Sequence, residues 1–276
     1  MIIDSHQHFW QVGRFEYPWL TRALGVLYRD YLPAELEPIL KHNKVAKTVL
    51  VQASNSLQET DWLLDLADEN EFIAGVVGWV DLKSPLVGEQ LDRFLRHNKF
   101  KGVRHLVESE PMDDWLVQRD VLTGLKVLEA RNVPYDLLVH PRHLKFVPEI
   151  VEACPNLRMV IDHLAKPPVA SGAVAGWKAE FRALAKFPNL SCKLSGLVTE
   201  ADHATWTVED LRPFVSVALE AFGADRLIFG SDYPVCLLAA SYEHVIESFQ
   251  TLLSELSSES REHVLATNAS DFYKLG

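Results

Sequence analysis

Short apolar runs rich in β-branched residues recur along this chain. Between them lie segments whose apolar positions return every three or four residues. Eight runs stand out, at 2–9, 48–53, 73–81, 101–107, 134–140, 157–163, 190–196 and 226–232. Most are near-continuous in Val, Ile and Leu rather than alternating, as strands are when both faces are covered. Helical spacing marks 61–68, 86–97, 121–131, 144–153, 177–186, 208–222 and 242–256. Several of these open on Ser, Thr or Asp, and Asn132 and Gly223 sit where a helix end turns left-handed. Strand–helix alternation implies a parallel sheet. Eight repeats predict an α/β fold of the (β/α)8 TIM-barrel type, one domain over residues 1–276. The stretch 10–33 reads as a long loop carrying Trp10, Phe15, Tyr17, Trp19, Tyr28 and Tyr31. Ordered loops of that length usually have a task.

Composition narrows the classes. Apolar residues make up 48 % of the 276 and charged ones 24 %, which excludes a disordered chain. The net charge of −11 and the lack of a Lys/Arg run argue against a nucleic-acid partner. Cys154, Cys192 and Cys236 are odd in number and widely spaced, so a disulfide framework is not expected and a cytoplasmic location is. Cys236 reads as a small buried hydrophobe rather than a nucleophile. Neither a signal peptide nor a membrane span is expected from the apolar pattern.

In a barrel of this kind, chemistry sits at the C-terminal ends of the strands. The first run ends in His6-Gln7-His8, and residues two apart on a strand point to one face. The fifth run ends at His140, the sixth at His163 and the eighth at Asp232. Four imidazoles and a carboxylate converging on one point suit a borderline dication such as zinc. Singly, each has an ordinary reading: a surface pair, a hydrogen-bonded strand end, an Asx turn before Tyr233-Pro234. The functional reading rests on their joint placement. His42, His97, His143, His203, His244 and His263 fall on helices or loops and are expected to be solvated.

Three separated motifs, Asp4-Ser5-His6-Gln7-His8-Phe9-Trp10, Asp162-His163-Leu164-Ala165-Lys166-Pro167 and Gly230-Ser231-Asp232-Tyr233-Pro234, resemble the amidohydrolase superfamily in its amidohydrolase-related branch. Residues 193–201, Lys193-Leu194-Ser195-Gly196-Leu197-Val198-Thr199-Glu200-Ala201, with Tyr17-Pro18-Trp19-Leu20, resemble the sugar-lactonase group of L-fuconolactonases and L-rhamnonolactonases. The resemblance implies a (β/α)8 barrel and hydrolysis at a carbonyl centre. It implies metal ligation by His6, His8, His140 and Asp232, with Asp232 and His163 catalytic. Binuclear members carry a carboxylated Lys or a Glu at the end of strand four. Arg104 and His105 stand there instead, so one divalent metal at most is implied, zinc by ligand type, and not as a requirement for turnover. Arg104, His105, Lys193, Trp10, Tyr17 and Trp19 are candidate substrate contacts. Arg104 reads equally as a structural ion pair, and the rings equally as loop packing. The expected partner is a small sugar lactone, bound by a monomer or homodimer. A metal-dependent decarboxylase of an aromatic or muconate-type acid and a non-catalytic sugar-acid binder are the alternatives.

Overall fold

The computed structural model describes residues 1–276. Eight parallel strands follow one another in sequence order: β1 (Ile2–Gln7), β2 (Val45–Val51), β3 (Ile73–Gly78), β4 (Phe100–His105), β5 (Tyr135–Leu137), β6 (Met159–Ile161), β7 (Leu190–Leu194) and β8 (Leu227–Phe229). Each falls within or overlaps one expected run. Every residue of β1, β5, β6 and β8 is buried, which is why these segments lack a polar alternation. Helices cover the outside: α1 (Pro33–His42), α2 (Leu57–Glu69), α3 (Val87–Phe94), α4 (Arg119–Ala130), α5 (Val147–Ala153), α6 (Val174–Leu184), α7 (Val208–Phe222) and α8 (Tyr242–Leu252). Ser56 caps α2 through Glu59 N–H, Ser241 caps α8 through His244 N–H, and Thr207 with Asp210 forms a capping box at α7. Helix α1 was not foreseen. The C-terminal segment adds α9 (Ser258–Glu262) and α10 (Asn268–Tyr273).

Two features of the barrel place the site. At the N-terminal rim, Phe272, Tyr273 and Leu275 pack against the inward Ile3, Val49, Val77, Val160 and Ile228 and plug the barrel. At the other rim, the seam between β1 and the residues after β8 is closed by Asp232 N–H donating to His6 O (2.8 Å) and His8 N–H donating to Tyr233 O (2.7 Å). Buried Asp4 rivets the same seam, accepting from His6 N–H (3.1 Å), Ser231 N–H (2.8 Å), Ser231 Oγ (2.5 Å) and Tyr242 OH (3.0 Å). The seam thereby brings His6, His8 and Asp232 together from opposite ends of the chain. No helix is long and apolar enough to cross a membrane.

Candidate active site

His6 and His8 present their Nε2 atoms to each other at 3.1 Å. His8 Nδ1 lies 2.7 Å from the carbonyl of Val51, which only accepts. The hydrogen of His8 is therefore on Nδ1, and its Nε2 offers a lone pair. Asp232 Oδ1 lies 3.4 Å from His8 Nε2, 3.8 Å from His6 Nε2 and 3.9 Å from His163 Nε2. All four side chains are almost wholly buried. Burial pulls the Asp232 carboxyl upward, yet His163, His8 and His6 around it outweigh burial and hold it below the usual carboxylate range. Burial pushes all three imidazoles down in turn.

Beneath this layer is a buried ionic network. Lys193 Nζ is 2.6 Å from Asp136 Oδ2, 2.9 Å from Asp162 Oδ1 and 3.1 Å from His6 Nδ1, with no exposed side-chain surface. Arg104 donates through Nη1 to Asp162 Oδ2 (3.3 Å) and His6 Nε2 (3.2 Å), and through Nη2 to the Gln52 carbonyl. Lysine and arginine only donate, so His6 sits between two cations. Its one hydrogen cannot suit both: on Nδ1, which also faces Asp162 Oδ1 at 3.5 Å, it leaves Nε2 to accept from Arg104, and on Nε2 it leaves Nδ1 to accept from Lys193. Burial opposes ionisation of Asp162, but Lys193, His6 and Arg104 hold its pKa well below the usual value. Asp136 goes the other way: burial, with Asp162 as a neighbouring like charge, raises it to about 6 against the pull of Lys193.

Backbone strain marks two of the site residues. His163, Leu164, Ala165 and Lys166 run at φ of 53°, 52°, 59° and 51°, and Asp232 is at 60°. Left-handed backbone costs about 1–2 kcal/mol per non-glycine residue and tends to cluster at functional sites. Space for His163 depends on Gly196, at φ +64°, where a Cβ would stand 2.5 Å from His163 Nδ1. His163 Nδ1 is also 2.8 Å from Ser195 Oγ.

A cavity of about 140 Å³ opens above these groups. His8, Arg104, His163 and Asp232 form its floor, and Trp19, Glu108 and Lys166 are part of its wall. Lys166 Nζ is 2.5 Å from Glu108 Oε2.

Several expected site residues lie elsewhere. His140 is not among the donors that meet at His6, His8 and Asp232, or at His6, Asp162 and His163. Strand β5 ends three residues earlier, at Leu137, and His140 caps the turn that follows, with Nε2 3.4 Å from Glu108. Asp136 supplies the buried group of that strand instead. His105 hydrogen-bonds Glu110 (2.7 Å), accepts from Trp79 Nε1 (3.0 Å) and stacks on Trp115, outside the cavity wall. Trp10 is wholly buried, donating to Arg29 O and packing on Trp19 and Tyr31. Tyr17 packs edge-on against Phe15 and Trp19 and does not line the cavity. Lys193 lies below the floor rather than in it. His143, expected in solvent, is buried, and its Nδ1 accepts from His140 N–H at 3.0 Å. Asp162, Asp136, Ser195, Glu108 and Lys166 were given no role from sequence. Arg104, which reads equally as a structural ion pair, finds Asp162, and Lys193, a cation in the middle of an apolar run, is paired as well.

The amidohydrolase family model matches residues 3–275. This chain belongs to the amidohydrolase family. It is 38 % identical to an L-fucono-1,5-lactonase of Burkholderia ambifaria over 99 % of this chain and 95 % of that one. It is 40 % identical to an L-fucono-1,5-lactonase of Burkholderia multivorans over 99 % and 96 %. A crystal structure of a Burkholderia multivorans amidohydrolase with bound zinc superposes with a TM-score of 0.95, at 39 % identity over the whole of both chains. The donors in this amidohydrolase fit a divalent ion. The two Nε2 atoms at 3.1 Å approach the roughly 3.3 Å between ligands of a tetrahedral zinc. Asp232 adds a carboxylate, and Asp162 stands behind His6 as such ligands require. Arg104, a fixed cation at 3.2 Å from the same His6 nitrogen, opposes that ion.

Proposed function

We propose that this amidohydrolase opens a sugar-acid lactone with water, as its L-fucono-1,5-lactonase relatives are named to do. The observation that carries the reading is Asp232, a carboxylate at the cavity floor with three imidazoles around one of its oxygens. Asp232 takes a proton from water as the water oxygen attacks the lactone carbonyl carbon. The ester C–O bond then breaks, and Asp232 returns the proton to the ring alkoxide, leaving a hydroxy acid. Arg104 and His163 are positioned to donate to the oxygen that gains charge during attack. His6, His8 and Asp232 are the groups that would hold a divalent ion, which when bound polarises the carbonyl. Lys193 and Asp162 orient His6 from below. Trp19, the expected ring contact that does reach the cavity, supplies an apolar face.

The test is Asp232→Asn, assayed by acid release from L-fucono-1,5-lactone with a pH indicator. Loss of a general base lowers turnover by roughly 10²–10⁴. Retention of full activity by the variant overturns the assignment. Release of CO₂ from an aryl acid, with no lactone hydrolysed, would make the protein a decarboxylase instead.

A further inference from the structure

The cavity over Asp232 is small, about 140 Å³, whereas ligand pockets usually span about 300–1,000 Å³. Next to it lies a cleft of about 950 Å³. Trp19 and Leu106 line both spaces and form the sill between them. With a lactone carbonyl at Asp232, the far side of the ring lies at the sill, and what it carries projects into the cleft.

The cleft wall has a definite chemistry. Phe15, Trp19 and Trp79 supply aromatic faces, while Asn55, Gln58 and Ser109 supply amides and a hydroxyl. The only ionic side chains are Arg14 and Glu16, of opposite sign. A phosphate or a carboxylate therefore finds no excess of positive charge there. Aromatic platforms with amides and hydroxyls between them suit the alternating C–H faces and hydroxyls of a neutral sugar.

Its parts are also held in place. Trp19 Nε1 donates to Ala53 O at 2.8 Å and Trp79 Nε1 to His105 Nδ1 at 3.0 Å, so both indoles are pinned by their polar edges. Asn55 Oδ1 accepts from Leu106 N–H at 3.1 Å. Gln58 is exposed and only its Oε1 is engaged, by Ser56 Oγ at 3.2 Å, which leaves its two N–H groups for a ligand. A wall fixed before the ligand arrives binds without the entropy loss of ordering itself.

We infer that this cleft is a subsite for a neutral sugar unit attached to the lactone ring, so that the enzyme accepts glycosylated aldonolactones. This rests on the lactonase reading. In a 1,5-lactone, C4 lies opposite the carbonyl carbon with C3 and C5 beside it, and O5 is the ring ester oxygen, so O3 and O4 are the attachment points.

The experiment compares kcat/KM for L-fucono-1,5-lactone and for the same lactone bearing a neutral hexosyl group on O3 or O4. One of the glycosylated compounds is expected to exceed the simple lactone by about tenfold, or ~1.4 kcal/mol. Gln58→Ala and Phe15→Ala, both outside the reaction cavity, are expected to cancel that gain by raising KM, with the simple lactone unchanged. If both glycosylated lactones fall below the simple one, or the variants move both substrates alike, the subsite is refuted. If no lactone is hydrolysed, the underlying reading fails as well.

Discussion

Lys193→Met tests whether the buried network holds the barrel together as well as orienting His6. Methionine nearly conserves the volume, so the cavity term is small and the electrostatic loss dominates. Lys193 is fully buried and serves three partners: Asp136 at 2.6 Å, Asp162 at 2.9 Å and His6 at 3.1 Å. Removing one member of a buried ion pair costs about 3–5 kcal/mol, because its partner stays behind uncompensated. Two carboxylates are left here, but Arg104 still pairs with Asp162, so the loss centres on Asp136. About 4 kcal/mol is expected, a large share of the 5–15 kcal/mol typical of a whole domain. Asp136→Asn removes that stranded charge and keeps an acceptor for Tyr273 OH, now 2.7 Å from Asp136 Oδ2. The double variant Lys193→Met/Asp136→Asn is therefore expected to recover at least half of the loss, a coupling of ~2 kcal/mol. Urea unfolding at pH 7 measures all three variants on one scale. A loss under about 1 kcal/mol for Lys193→Met, or strict additivity in the double variant, would show that the charges are not coupled as the distances state.

Three further outcomes follow from single contacts. Gly196→Ala sets a Cβ 2.5 Å from His163 Nδ1 on left-handed backbone; lactone turnover should fall at least tenfold, with a stability loss of ~1–2 kcal/mol by urea unfolding. An active, equally stable variant would mean that His163 has room to spare. Burial pushes the Glu59 carboxyl up to about 8. A raised acid stabilises the fold fully below its ordinary value of 4.5 and loses that contribution as pH rises through 8. Wild-type stability should therefore decline across this window with a slope approaching ~1.4 kcal/mol per pH unit, and Glu59→Gln should flatten it. Parallel curves for the two proteins would exclude Glu59 as the source. Arg104→Gln removes the cation 3.2 Å from the metal-facing nitrogen of His6, so zinc affinity measured by chelator competition should rise at least about tenfold. Unchanged or weaker binding would mean that Arg104 does not oppose the ion.

The barrel was legible because its strands are covered on both sides, and burial on both sides writes an uninterrupted apolar run. The same property blurred the strand ends. β5, β6 and β8 pair over only three residues each, yet the apolar runs continue into buried loops that carry the site. For Asp232 and His163, three and two residues past Phe229 and Ile161, the overrun did no harm, since left-handed backbone at both accompanies their meeting with His6 and His8. For His140 it did. Pro141 starts a helical turn there, and the imidazole turns to Glu108. Helix α1 escaped notice because Pro33 and Pro38 break its pattern, although Pro33 occupies the first turn, where no N–H is needed. Asp162 could not be assigned from its neighbours in sequence. It acquires meaning only when the topology sets Arg104 of β4 and Lys193 of β7 beside it.

Charge balance in that buried layer bears on what a bound dication would meet. Asp136, Asp162 and Asp232 bring three formal negative charges and Lys193 and Arg104 two positive ones, with the imidazoles left out of the count. One dication turns a single excess negative charge into a single excess positive one. A second would add two more positive charges to a layer of buried side chains, where like charges repel more strongly than in bulk water. The bridging anion that would offset this belongs at the end of β4, where Arg104 stands with its guanidinium on His6 and Asp162. Without any ion, Arg104 still satisfies the lone pair of His6 and points a positive charge at the cavity that Asp232 shares. On the proposed reaction Arg104 would share in the carbonyl polarisation that a metal would give, so Arg104→Gln is expected to make lactone turnover more sensitive to chelator as well as to bind zinc more tightly, and equal chelator sensitivity in the two proteins would refute this.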